Sequence, residues 1–312
     1  MNAYLCISID CECDKGPEWR TQKPLSFAGV SLGIAERLQP LFVLHRAKPT
    51  YLLSPEVLRD SRSVETLTTL HGDTEFGTHL HGEFAEPGAF EPDVTLAFQR
   101  DYSRDTELEK LRSLTQLFRG AFGHSPTAFR AGRFGIGRNS LELLQSLGYA
   151  VDSSVTPHVD WSRADPQGPS FRSAPTQPYW PLPSAPEIAG PKSSLLEVPV
   201  TIRPSFFSYL PIVGRWAEPR WLRPTRASVA ELVRIARDEI HEARSTHPDR
   251  PVVMNAMFHN VEVVPKASPY AATKERAEAI LRRVAGLLAF AEREEVEVIG
   301  LSQVPEILAE AA

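Results

Sequence analysis

The chain is poor in sulfur, with three cysteines and three methionines among 312 residues. Cys6, Cys11 and Cys13 crowd at the start, and three thiols cannot close a set of disulfides, so a reducing compartment is expected. Cys11 and Cys13 have no second thiol pair with which to build a zinc ribbon, and read as small apolar residues on a buried strand. Charge of one sign is also missing: 34 basic against 39 acidic residues leave a net charge of -5. That balance gives no electrostatic reason to expect nucleic acid or an anionic membrane as partner. No apolar run approaches the roughly 20 residues of a membrane-spanning helix, so no membrane insertion is expected. The opening "MNAYLCISIDCECD" lacks a basic n-region and an apolar h-region and passes straight into strand-like alternation, which predicts a cytoplasmic protein.

What is present is an ordinary globular composition, 42% hydrophobic, in a chain long enough for one large α/β domain or two modest ones. Short β-branched or apolar runs read as strands: "AYLCISID" (3–10), "PTYLLS" (49–54), "TEFGTHLH" (74–81), "TAFRAG" (127–132), "YAVDSS" (149–154), "SLLEVPVTI" (194–202), "PVVMNAMFH" (251–259) and "VEVIGL" (296–301). Helical periodicity fills 104–123, 139–148, 228–244 and 273–295. Strand followed by helix, repeated without a composition break or internal repeat, predicts a parallel sheet in a single barrel-like domain over 1–312. The proline-dense segment 161–192 excludes regular helix and central strand. Its Phe171, Tyr179 and Trp180 predict a loop that packs rather than a disordered linker.

The chain has nine histidines, and it places His79 and His81 one residue apart. Side chains two apart on a strand share a face, so this pair is a candidate for holding a metal ion. In a parallel barrel the chemistry sits at the carboxyl ends of the strands. There the sequence puts Asp10, Glu12 and Asp14, then His79, His81 and Glu83, Arg130, Asp152 and His259. Like charges as close as the first three repel, and a cation or an arginine would relieve them. Two imidazoles and a carboxylate are a common ligand set for a catalytic zinc. Arg130 would hold a carboxylate in place and ionised. His259, where a buried strand surfaces, suits proton delivery near neutral pH.

These stretches resemble the polysaccharide deacetylases with the NodB-homology domain, carbohydrate esterase family four. "SIDCE" looks like that family's first motif, "EFGTHLH" the second, "FRAGRFG" the third, "VDSSVTPHVDW" the fourth and "AMFHN" the fifth, in order along most of the chain. More narrowly, "PTYLLSPEVL", "EFGTHLHGEF", "FRAGRFGIG", "DSSVTP", "LLEVPVTI" and "MFHNVEVVPKASPY" resemble the branch of bacterial deacetylase-like proteins without a secretion signal. The resemblance implies a distorted (β/α)7-like barrel, a divalent metal, generally zinc, and N-deacetylation of a carbohydrate. Carried over by position, it implies Asp10 as general base, Glu12, His79 and His81 as metal ligands, Arg130 orienting Asp10, and His259 as general acid.

Three departures from the family pattern bear on those assignments. The common pattern has adjacent aspartates, whereas Cys11 separates Asp10 from a glutamate, leaving Asp14 or Asp10 as alternative metal carboxylates. The usual histidine spacing would put Glu83 at the position taken here by His81. In the fourth motif an apparent insertion parts Asp152 from Asp160 and Trp161; Asp152, directly after its strand, is the expected partner of His259. The function expected is metal-dependent removal of an N-acetyl or similar N-acyl group, and an enzyme without a leader would meet a biosynthetic intermediate rather than mature wall polymer. The rival readings are a non-catalytic sugar-binding or scaffold barrel and an amidohydrolase of a small non-sugar amide.

Overall fold

The computed structural model describes residues 2–90, 98–205 and 218–311. Strand β1 (Ala3–Cys11) is buried along almost its whole length, as expected for a run of apolar residues on both faces of a covered parallel strand. A helical segment, Gly29–Leu38, is wound as a π-helix and continues into α1 (Gln39–Leu44). There follow β2 (Thr50–Leu53), α2 (Pro55–Arg59), α3 (Ser61–Thr68) and β3 (Glu75–Leu80). Then come α4 (Arg104–Phe122), β4 (Ala128–Ala131), α5 (Ser140–Ser146) and β5 (Val151–Asp152). The segment expected as a loop holds a small antiparallel pair, β6 (Pro181–Leu182) with β7 (Ala185–Ala189). A two-stranded pair is all edge, so its prolines remove no ladder bond from a central strand. The chain ends with β8 (Leu196–Glu197), β9 (Ile202–Arg203), β10 (Arg220–Trp221), α6 (Val229–Thr246), β11 (Val252–His259), α7 (Lys274–Arg293), β12 (Glu297–Ile299) and α8 (Val304–Glu310).

Seven strands in the order β11-β1-β2-β3-β4-β5-β8, all parallel, form a curled half-barrel, and the fold is α/β of the distorted (β/α)7 type. One edge of β1 pairs with β11 from Ala3 to Asp10. Its other edge is shared, with β12 on Tyr4–Cys6 and β2 on Ser8–Cys11. No ladder joins β8 to β11 among the described residues; single hydrogen bonds span the gap, Thr201 N to Asn255 O (2.9 Å) and Asn255 Nδ2 to Val198 O (3.3 Å).

The longer helices are capped as their sequences dictate. Ser103, Ser228 and Thr273 accept from the backbone three residues on, at the starts of α4, α6 and α7. Gly123 closes α4 in the left-handed region (φ 76°). α4 packs on β3, α6 on β11 and α7 on β12, so the helices clothe the outside of the sheet. No helix among the described residues is long and apolar enough to cross a membrane.

Candidate active site

Parallel register places the polar ends of β1, β3, β4 and β11 on one rim, with Asp10 opposite His259 and His79 opposite Arg130. His79 lies within β3 and His81 just past its end; the period of two turns both rings to one side, their centroids 4.8 Å apart and edge-on. Gly132, in the turn after β4, makes room for this: a Cβ there would lie 2.5 Å from the Leu80 carbonyl oxygen and 3.3 Å from the His81 ring.

Both imidazole Nε2 atoms converge on one carboxylate oxygen, Glu12 Oε1, at 3.1 Å from His79 and 2.9 Å from His81. The opposite ring nitrogens are occupied, His79 Nδ1 by the Arg130 carbonyl (3.1 Å) and His81 Nδ1 by Glu83 Oε1 (3.3 Å). Acceptors at both Nδ1 positions keep the protons there and turn the Nε2 lone pairs inward, as the outer partners of metal-bound histidines do. Three electron-rich atoms then face one point and repel unless a cation lies among them. Without a metal, protons serve: burial lowers the His81 pKa, but Glu12 and Glu83 outweigh it and raise it to about 9. The ligand atoms of Glu12, His79 and His81 lie within 4.8 Å of one another and all three residues are buried. This donor set, one hard oxygen and two imidazole nitrogens with ordered partners behind them, fits a divalent metal.

Asp10 stands beside this face. Its Oδ1 accepts from Arg130 Nη1 at 2.7 Å, and its Oδ2 lies 3.9 Å from His79 Nε2 and 3.8 Å from His259 Nε2. Burial pushes the Asp10 pKa up, but Arg130, with His79 and His259, more than reverses this and holds it below the usual carboxylate value. Arg130 is wholly buried, and its Nε donates to the Ser153 carbonyl (2.7 Å) and its Nη2 to Ser8 Oγ (2.6 Å) and Ser153 Oγ (2.9 Å). Such a guanidinium cannot move without breaking four bonds.

The structure brings Asp10, Glu12, His79, His81, Arg130 and His259 together and places two expected candidates elsewhere. Asp14 lies past the end of β1, where it accepts from Ser26 Oγ (2.6 Å), Ala28 N (3.0 Å) and Gly29 N (2.8 Å), and so holds the start of the Gly29 helix. Asp152 accepts from Ser154 Oγ (2.6 Å) and faces Glu197 across the β5–β8 register. The carboxylate at His259 is Glu262, whose Oε1 is 2.9 Å from His259 Nδ1 and which Arg223 and Thr225 also hold. The chain turns immediately after β11, which carries Glu262 back under the ring. Glu83 sits behind His81 and pairs with Arg133 at 2.7 Å.

Sequence reasoning also missed Lys15, 2.9 Å from Glu12 Oε2, and Asn260. The Asn260 amide grips the Glu12 backbone at both ends, accepting from its N–H and donating to its carbonyl, each at 3.0 Å. Its position directly after His259 was the available signal. Around the rim, Trp19 meets the His259 ring edge-on at 4.9 Å, and Trp161 stacks on Phe134 at 5.6 Å. Phe171 and Tyr179 of the 161–192 segment are buried, as expected of packing anchors.

No protein-family model matches the sequence, and no curated protein matches it. Solved structures do match by shape. A Mycobacterium smegmatis protein assigned to the polysaccharide deacetylases shares 16% identity with a TM-score of 0.56, over 99% of this chain and 92% of its own. A Parabacteroides distasonis protein of the glycoside hydrolase/deacetylase kind shares 10% with a TM-score of 0.65, over 99% and 71%. The allantoinase Puue shares 13% with a TM-score of 0.53, over 97% and 89%. The chain therefore has the fold found in polysaccharide deacetylases, shared at the level of architecture.

Proposed function

We propose that the protein is a metal-dependent hydrolase that removes an N-acetyl or similar N-acyl group from a carbohydrate. The observation that carries this is the convergence of Glu12 Oε1 and two imidazole Nε2 atoms beside an ionised aspartate and a carboxylate-backed histidine. The deacetylase assignment of the Mycobacterium smegmatis neighbour points the same way.

A divalent ion on the Glu12–His79–His81 face, zinc first, would supply Lewis acidity to a carbonyl oxygen and make water a better nucleophile. Asp10, kept anionic by Arg130, takes the proton that water gives up through Oδ2, the oxygen not bound to the arginine. His259 lies across from it, Nε2 3.8 Å from Asp10 Oδ2, and protonates the departing amine. Glu262 at Nδ1 fixes the ring. One water is consumed, and a carboxylate and a free amine leave. Trp19 and Trp161 offer apolar faces on which a sugar ring can rest.

The test is release of acetate from N-acetylated sugars by purified protein with and without chelator, alongside Asp10→Asn. Chelator should abolish turnover, metal should restore it, and Asp10→Asn should lose it while keeping metal. Allantoin belongs in the same assay, because the allantoinase neighbour shares the fold; turnover of allantoin and of no sugar would favour the small-amide reading.

A further inference from the structure

Lys15 is a buried ammonium with no part in the chemistry above. It is 6% exposed, and its Nζ lies 2.9 Å from Glu12 Oε2, 3.9 Å from Cys13 Sγ and 3.5 Å from Thr21 Oγ1, and 5.6 Å from the centre of the Phe84 ring. The loop that carries it is pinned, since the backbone N–H groups of Lys15 and Gly16 both donate to the Ala267 carbonyl at 3.0 Å. The two oxygens of Glu12 thus have separate tasks. Oε1 meets both imidazoles, and Oε2 is taken by a cation that cannot swing out to water.

A free carboxylate bound to a divalent ion can use one oxygen or both, and each choice fills a different number of coordination positions. Hydrolytic chemistry needs a position left over. Resting on the metal reading of Glu12, His79 and His81, we infer that Lys15 is a positioning residue that restricts Glu12 to ligation through Oε1 alone, so that a coordination position stays open for water or substrate.

Cobalt(II) is the probe, because its visible absorption is intense at low coordination number and weak at high. Chelator-treated full-length protein, Lys15→Met and Lys15→Arg are each titrated with cobalt, with far-UV circular dichroism as the folding check. The wild type should take one cobalt with intense bands. Lys15→Met should show band intensity several-fold lower as Oε2 joins, and Lys15→Arg, which keeps a cation on Oε2, should retain the wild-type spectrum. If Lys15→Met does not fold, Lys15→Leu is read in its place. A wild-type spectrum in the folded Lys15→Met or Lys15→Leu protein overturns the inference and leaves the metal reading standing. A wild type that takes up no cobalt overturns both. A role confined to stability would move the melting temperature and not the bands.

Discussion

Two sets of buried carboxylates in this fold have their pKa values moved in opposite directions. Asp10, Glu12 and Glu262 at the mouth each have a cation of their own, Arg130, Lys15 and Arg223. Burial pushes all three pKa values up, yet these partners bring them below the ordinary carboxylate value, Glu262 to about 2. Asp152 and Glu197, paired in register on β5 and β8, have each other instead. Burial raises both, Glu197 well above its usual value with Asp152 adding to the rise, and Arg130 pulls back too weakly to undo it. Asp152 Oδ2 and Glu197 Oε2 meet no donor from any other described residue, which suits one proton shared between the pair. Depth alone does not decide whether a carboxyl is a base or a neutral acid; the neighbouring cation does.

The largest contrast should appear in catalysis. Asp10→Asn removes an ionised proton acceptor and should lower kcat by about 10² to 10⁴-fold, whereas Asp152→Asn, at a carboxyl paired with Glu197 and away from the Glu12–His79–His81 face, should change kcat by less than about threefold. Steady-state kinetics on the N-acetylated sugar decides this, and equal losses would erase the distinction. Next in size is stability. Arg130→Met leaves Asp10 buried without its cation and should cost about 3–5 kcal/mol in denaturant unfolding, with much of the loss recovered in the Arg130→Met/Asp10→Asn double variant.

Acid and alkaline limbs separate the two sets further. Glu262 has a folded pKa of about 2 against an ordinary 4.5. Its contribution is therefore fully present above pH 4.5 and is lost as pH falls towards 2, and Glu262→Gln should flatten that limb of stability against pH. The Asp152–Glu197 pair has the opposite sign. Its folded pKa values are raised, so the folded state binds the proton more tightly than the unfolded chain does, and the pair costs stability as pH rises past the ordinary carboxylate range. Glu197→Gln should thus change stability by less than about 1 kcal/mol at pH 4 and stabilise by more at pH 8, the smallest of these effects. A destabilisation that grows with pH would show that the fold favours the Glu197 carboxylate over its acid, the opposite of the raised pKa.

The difference between the two sets was only partly legible in the sequence. Strand ends were, because β1, β3, β4 and β11 carry Asp10, His79, Arg130 and His259 at the last position or the one before it, and the alternation of His79 and His81 fixes their shared face. Which carboxylate meets which cation was not. Lys15 reaches Glu12 only because its loop folds against Ala267, some 250 residues away in sequence. Glu262 reaches His259 only because the chain turns directly after β11. Asp152 ends its strand as expected, but its side chain turns towards β8. The Gly29–Leu44 helical run escaped because Gly33 and Pro40 interrupt the pattern. Gly33 is there for close approach, since a Cβ would lie 2.7 Å from the Asn260 carbonyl oxygen.

Anomalous diffraction at the zinc edge, from crystals of the full chain grown with millimolar zinc, tests the metal centre most directly. One strong peak is expected about 2.0–2.2 Å from Glu12 Oε1, His79 Nε2 and His81 Nε2. A folded protein with no peak there, or with zinc held by Asp14 or Glu83 instead, would contradict it.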